Sequence, residues 1–120
     1  MKIALSVQIL HFGRGKIIMS NIVEVSTFTL KEGVSEQDFL SVSEKFNCEF
    51  MSQQKGFISS TLLKKDGEYL EFDVWATMED LENAQKAAPN HPTTSEWFNL
   101  VETEADVPLY NLVRVVKGNI

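Results

Sequence analysis

One short stretch concentrates the side chains able to do chemistry. In Glu68 to Ala76, EYLEFDVWA, the residues Tyr69, Glu71, Asp73 and Trp75 alternate with Leu70, Phe72, Val74 and Ala76. Successive side chains of an extended chain point to opposite faces, so both carboxylates share a face with the tyrosine and the tryptophan. On a pocket wall, burial and a like-charged neighbour raise the pKa of one carboxyl, which then serves as a general base. A base beside an aromatic wall suits proton abstraction from a phenol or an enol. The competing reading is structural. Both carboxylates then pair with basic groups at an interface, Arg114 being the candidate partner, since structural ion pairs also perturb pKa values. Trp75 and Tyr69 divide the same way, between pocket wall and core or interface aromatic.

Other polar residues carry weaker signals. His91, between Asn90 and Pro92, reads either as an acid or base at a pocket mouth or as a capping residue. Ser43 and Asn47 border the apolar stripe of a helix, where they either orient a ligand oxygen or simply edge the stripe. Cys48, the single cysteine, has no adjacent basic residue to lower its pKa and reads as a surface or interface thiol. One Cys and two His leave no zinc-type ligand set, and no cofactor is expected.

The elements that position these residues follow in order. Ile22 to Leu30, IVEVSTFTL, is β-branched and alternating, a strand. Ser35 with Asp38 offers an N-cap, and the helix behind it places Phe39, Val42, Phe46 and Phe50 on one stripe. Gly56 suits the helix end, expected near Gln54. Phe57 to Lys65 is the second strand, and Asp66-Gly67 is a type I′ hairpin signal leading into the third. Thr77 with Asp80 caps a second helix that Pro89 stops, and Thr93 to Val101 reads as a short third helix. After an acidic linker, Glu102 to Asp106, the run VPLYNLVRVV reads as the last strand. The order β-α-β-β-α-(short α)-β is that of the α+β, ferredoxin-like split β-α-β arrangement, a four-stranded antiparallel sheet with two main helices on one face.

The whole chain bounds the answer. Its 120 residues, 43% hydrophobic and 23% charged, suit one ordinary domain. A net charge of −6 without a basic patch argues against nucleic acid and against anionic membrane surfaces. No apolar run approaches the length of a membrane-spanning helix. All 17 acids lie from Glu24 onward, and the first 18 residues carry only Lys2, Arg14 and Lys16 as charges. A signal peptide would add a small-residue cleavage site, which is missing. The expectation is an N-terminal extension over residues 1–20, a domain over 21–120 and a cytoplasmic location. Both faces of the third strand are apolar or large, where a solvated sheet face would alternate cleanly with polar residues. Two copies covering each other's open faces, a homodimer, are expected.

KEGVSEQDFL, QQKGFISSTLL and DVWATMEDLENAQKA, in this order and spacing, resemble the dimeric α+β barrel superfamily, and within it the antibiotic-biosynthesis-monooxygenase-like proteins. The resemblance covers Ile22 to about Val116. It implies a homodimer with a pocket between sheet and helices in each subunit. The superfamily includes cofactor-independent quinone-forming monooxygenases, haem-degrading enzymes and small isomerases. Haem-degrading members use an Asn on the first strand, a Trp on the third and a His on the second helix. Trp75 matches the tryptophan, Ser26 takes the Asn position, and the second helix has no histidine, so haem degradation is not expected.

Two functions follow as alternatives. The first is a small cofactor-independent monooxygenase acting on an aromatic or polyketide-like molecule, with Asp73 or Glu71 as base and Trp75 as wall. Asn47, Ser26, Phe46 and His91 are then its candidate substrate contacts. The second is a non-catalytic homodimer binding a small apolar ligand or serving in stress. An enclosed cavity reaching Trp75 favours the first, and a space filled by Phe46, Phe50 and Phe98 favours the second.

Overall fold

The computed structural model describes residues 9–12, 15–18 and 21–119. Near the N-terminus, β1 (Ile9–Phe12) and β2 (Gly15–Ile18) pair only with each other, as a two-stranded antiparallel sheet. The remainder of the expected extension over residues 1–20 lies outside the described residues. The main body runs through β3 (Ile22–Leu30), α1 (Glu36–Glu49), β4 (Phe57–Lys65) and β5 (Glu68–Trp75). It continues through α2 (Met78–Ala87), α3 (Pro92–Phe98), β6 (Val101–Thr103) and β7 (Leu109–Asn111). All pairing is antiparallel, in the order β4-β5-β3, with β6 and β7 both on the far edge of β3. This is the expected ferredoxin-like α+β arrangement.

Local chemistry explains the joints. Ser35 Oγ accepts from the Asp38 amide and Thr77 Oγ1 from the Asp80 amide, each at 3.1 Å, which starts α1 and α2. Asp66 and Gly67 have φ of 51° and 80°, the two positive values a type I′ turn demands. Gly56, at φ +82°, cannot be replaced without strain, because a Cβ there would lie 2.1 Å from an Asp80 carboxylate oxygen. The first helix ends earlier than expected, at Glu49, and a 3-10 turn at Met51–Gln53 carries the chain on to Gly56.

The last strand departs most from expectation. Val101–Thr103, assigned from sequence to helix and linker, pairs with Leu30, Thr29 and Phe28. Leu109–Asn111 pairs with the opposite end of β3, at Glu24 to Ile22. Between Phe28↔Thr103 and Glu24↔Leu109, β3 advances four residues while the returning chain advances six, so the intervening stretch bulges from the ladder. Past Asn111 only the Leu112 amide, bonded to the Asn21 carbonyl at 2.9 Å, continues the pattern. The run to Val116 is not strand because β3 starts at Ile22 and offers it no further partner.

The core is built of two clusters on the helix-covered face. One gathers Ile22, Phe50, Met51, Trp75, Met78, Leu81 and Ala84. The other gathers Phe28, Phe39, Tyr69, Trp97 and Val101, with Phe46 packed against both. Rings in the second interlock: Phe28 stacks on Tyr69 at 5.5 Å and meets Trp97 edge-on at 5.1 Å. The opposite face of the sheet, with Val23, Val25, Leu70, Phe72 and Val74, is only half-buried. Among the described residues, no helix is long and apolar enough to cross a membrane.

Candidate functional site

The sheet face under the helices is apolar at both ends and polar in the middle. Along β3 it runs Ile22, Glu24, Ser26, Phe28; along β5 it runs Trp75, Asp73, Glu71, Tyr69, each directly opposite. The polar middle therefore falls between the two core clusters. There the sheet and helices border a half-open cavity of about 340 Å³. Its floor is Glu24, Ser26, Glu71, Asp73 and Trp75, and its walls include Phe46, Phe50, Leu81, Gln85, Thr94 and Trp97. Exposed Pro89 and Phe98 mark the mouth. Phe46, Phe50 and Phe98 line this space and leave it hollow.

Among the described residues, no lysine, arginine or histidine lines the cavity beside these acids. Arg114 lies in the exposed C-terminal run, and the ion pairs among the described residues, Lys45–Glu96 and Lys64–Glu36, are both elsewhere. Asp73 is 7% exposed. Burial, then the negative charge of Glu71, hold its carboxyl well above the ordinary range near 3.8, with Glu24 adding to the effect and Ser60 opposing it. Glu24 is also raised, first by burial, against a 3.4 Å hydrogen bond donated by Gln85. The Trp75 indole N–H lies near enough to favour the ionised form of Glu24 but does not reach hydrogen-bonding geometry. Glu71 accepts a 2.9 Å hydrogen bond from Ser60 Oγ.

Three buried polar atoms of the cavity lining have no partner: Asp73 Oδ1, Trp75 Nε1 and Thr94 Oγ1. Unpaired buried groups of this kind cost a fold about 1–3 kcal/mol each, so these three are groups that water or a ligand would satisfy. The set offers an indole donor, a hydroxyl that both donates and accepts, and a carboxyl that accepts a proton. It can hold an oxygenated aromatic molecule against Trp75 and take a proton from it.

The sequence candidates separate in space. Asp73, Glu71, Trp75, Ser26 and Phe46 meet at the cavity. Asn47 lines a second recess of about 350 Å³ beside α1 and β4, with Ser43, Cys48, Ser60 and Leu62, and Glu71 borders both spaces. His91 is outside both linings. Its Nδ1 accepts from the Thr93 amide and caps α3, and its ring packs on Phe50 at 5.4 Å. Glu24, Thr94 and Trp97 were not singled out by sequence. Glu24 is the one acid in an otherwise uncharged strand, a signal that was present, but its place opposite Asp73 depends on the long-range register of β3 with β5.

The sequence matches no family model and no curated protein. Among solved structures it is similar to SnoaB, a cofactor-independent oxygenase from Streptomyces nogalater. The two are 22% identical with a TM-score of 0.67, over 82% of this chain and 99% of that one. The fold is shared with SnoaB. A conserved protein of unknown function from Bacteroides thetaiotaomicron, described as a possible oxidoreductase, aligns at 12% identity and TM-score 0.61 over 78% of this chain and 99% of that one. MupZ from Pseudomonas fluorescens aligns at 14% identity and TM-score 0.57, over 77% and 72%. These likenesses establish the fold, and the cavity itself must carry the chemistry.

Proposed function

We propose that this chain is a small cofactor-independent monooxygenase-like enzyme whose substrate is an aromatic or polyketide-like phenol or enol bound in the 340 Å³ cavity. The observation that carries the reading is the hollow itself, with unpartnered Asp73, Trp75 and Thr94 atoms around it. Its volume lies at the small end of the range for pockets that take organic ligands. The likeness to SnoaB supports the oxygenase class. Asp73 removes the acidic proton of the substrate, and burial and Glu71, by raising its proton affinity, make it a stronger base than a solvated aspartate. Trp75 and Phe46 hold the ring plane. The electron-rich anion then reacts with dioxygen; for an anthrone, one O₂ is consumed, the ring carbon becomes a carbonyl and one water leaves.

The apolar open face of the sheet supports a homodimer, since Val23, Val25, Leu70, Phe72 and Val74 would otherwise meet water. Burial there contributes about 25 cal/mol per Å². A single-subunit mass by light scattering at micromolar concentration would remove that part of the proposal. The exposed lone thiol of Cys48 suits the reducing cytoplasm.

The test is oxygen uptake with anthrone as probe, followed with the appearance of anthraquinone. Catalysed uptake that Asp73→Asn abolishes supports the reading. Uptake equal to the buffer blank for the wild-type protein across a panel of hydroxylated aromatics would overturn it.

A further inference from the structure

The cavity floor has an electrostatic peculiarity that a neutral phenol leaves unresolved. Glu24 and Asp73 stand directly opposite one another on adjacent strands, and Glu71 is two residues along the same face. Opposed Cβ atoms in such pairs are about 5 Å apart, and like charges there are destabilising. All three acids border one hollow, and among the described residues no basic side chain lines it. Asp73, more than nine-tenths buried in that floor, has an Oδ1 with no partner. Moving a phenol's proton onto Asp73 only relocates a negative charge within this region and supplies no counter-charge to it.

We infer that the natural substrate carries a cationic amine as well as its aromatic ring, the ammonium group seated between Glu24 and Asp73 and the ring against Trp75. This deepens the proposed function and rests on the cavity being a ligand site. An organic ammonium supplies the missing counter-charge and gives Asp73 Oδ1 a donor. Phe46, Phe50, Trp75 and Trp97 line the same cavity, and an aromatic face turned to a cation attracts it. A metal ion does not fit the same position: among the described residues, no group of three His, Cys, Asp or Glu side chains converges closely enough to hold one. The acidic chain as a whole, at net −6, draws cations toward the mouth. Burial and like-charged neighbours raise the proton affinity of both acids, and an ammonium seated between them lowers it, so binding favours proton release.

Three probes of similar size isolate the charge: 2-phenylethylamine, 2-phenylethanol and 3-phenylpropionate, each titrated calorimetrically at pH 7 in two buffers of different ionisation enthalpy. The amine is expected to bind about tenfold more tightly than the alcohol, and the carboxylate not measurably. The amine should also release a proton to the buffer, and the alcohol none. Glu24→Gln should bring amine and alcohol to within about threefold of each other, the amine losing more affinity than the alcohol. Equal binding of amine and alcohol, without proton release, overturns the inference and leaves the cavity reading standing. Failure of all three probes to bind overturns both.

Discussion

The two ends of β5 carry comparable aromatic residues and treat them in opposite ways. At one end Tyr69 stacks on Phe28 and packs with Phe39, and its hydroxyl donates to Glu36, which Lys64 also holds at 2.8 Å. The Tyr69 hydroxyl is thus partnered, and Lys64, as first cause, holds the Glu36 carboxyl below its usual range. At the other end Trp75 is as fully enclosed, at 1% exposed, yet its indole N–H has no partner and its neighbour Asp73 keeps an unpaired oxygen. The Tyr69 end is finished as structure. The Trp75 end is left open on its polar side, and the cavity lies there. A protein gains stability by closing such gaps, and the three unpaired groups are what the proposed ligand would satisfy.

That contrast is open to attack by substitution. Asp73→Asn should cost about 10²- to 10⁴-fold in turnover, the usual worth of a positioned base, without lowering stability, because it removes an uncompensated buried acid. Oxygen uptake and denaturant unfolding on one sample separate the two quantities. Phe39→Ala, at the packed end, should do the reverse and cost about 3–5 kcal/mol of unfolding free energy, since its ring is fully buried. Equal stability losses from the two would dissolve the distinction between the ends.

The pH dependence of stability gives a smaller effect with a defined sign. Asp73 and Glu24 bind protons more tightly folded than unfolded, so their contribution favours the fold at low pH. It is lost as pH rises from the ordinary range near 3.8 and 4.5 through their raised folded values. Asp73→Asn should therefore flatten the fall in unfolding free energy above pH 4; a wild-type curve that instead rises through this window would contradict the assignment. Thr94→Val should change stability least, by less than about 0.5 kcal/mol, because the hydroxyl it removes has no partner to lose. A larger loss would mean that Thr94 is bonded inside the fold.

How much of this was legible beforehand divides along the line between local and long-range physics. The caps at Ser35 and Thr77, the Asp66-Gly67 turn and the alternation of β5 are decided within a few residues, and the sequence reading of each agrees with the structure. The alternation placed Glu71, Asp73 and Trp75 on one face but left open which face the helices cover. That choice depends on burying Tyr69 and Trp75 beneath α1–α3, a property of the whole fold. Glu24 and Thr94 reach the cavity through the β3–β5 register and the placement of α3, neither of which local spacing specifies. The split last strand was equally hidden, since Val101–Thr103 is strand only because β3 offers it an edge.

The central claim is that Asp73 is a buried carboxyl of raised proton affinity with an unpartnered oxygen in the cavity floor, and titrating it tests this most directly. With the aspartates labelled with ¹³C at the side-chain carboxyl and Asp73→Asn used to assign the resonance, its shift is followed from pH 3 to 9. The account predicts a midpoint well above 3.8, because burial and Glu71 disfavour its charge. A midpoint at the ordinary value would mean that a counter-charge or water already compensates the group, and would contradict it.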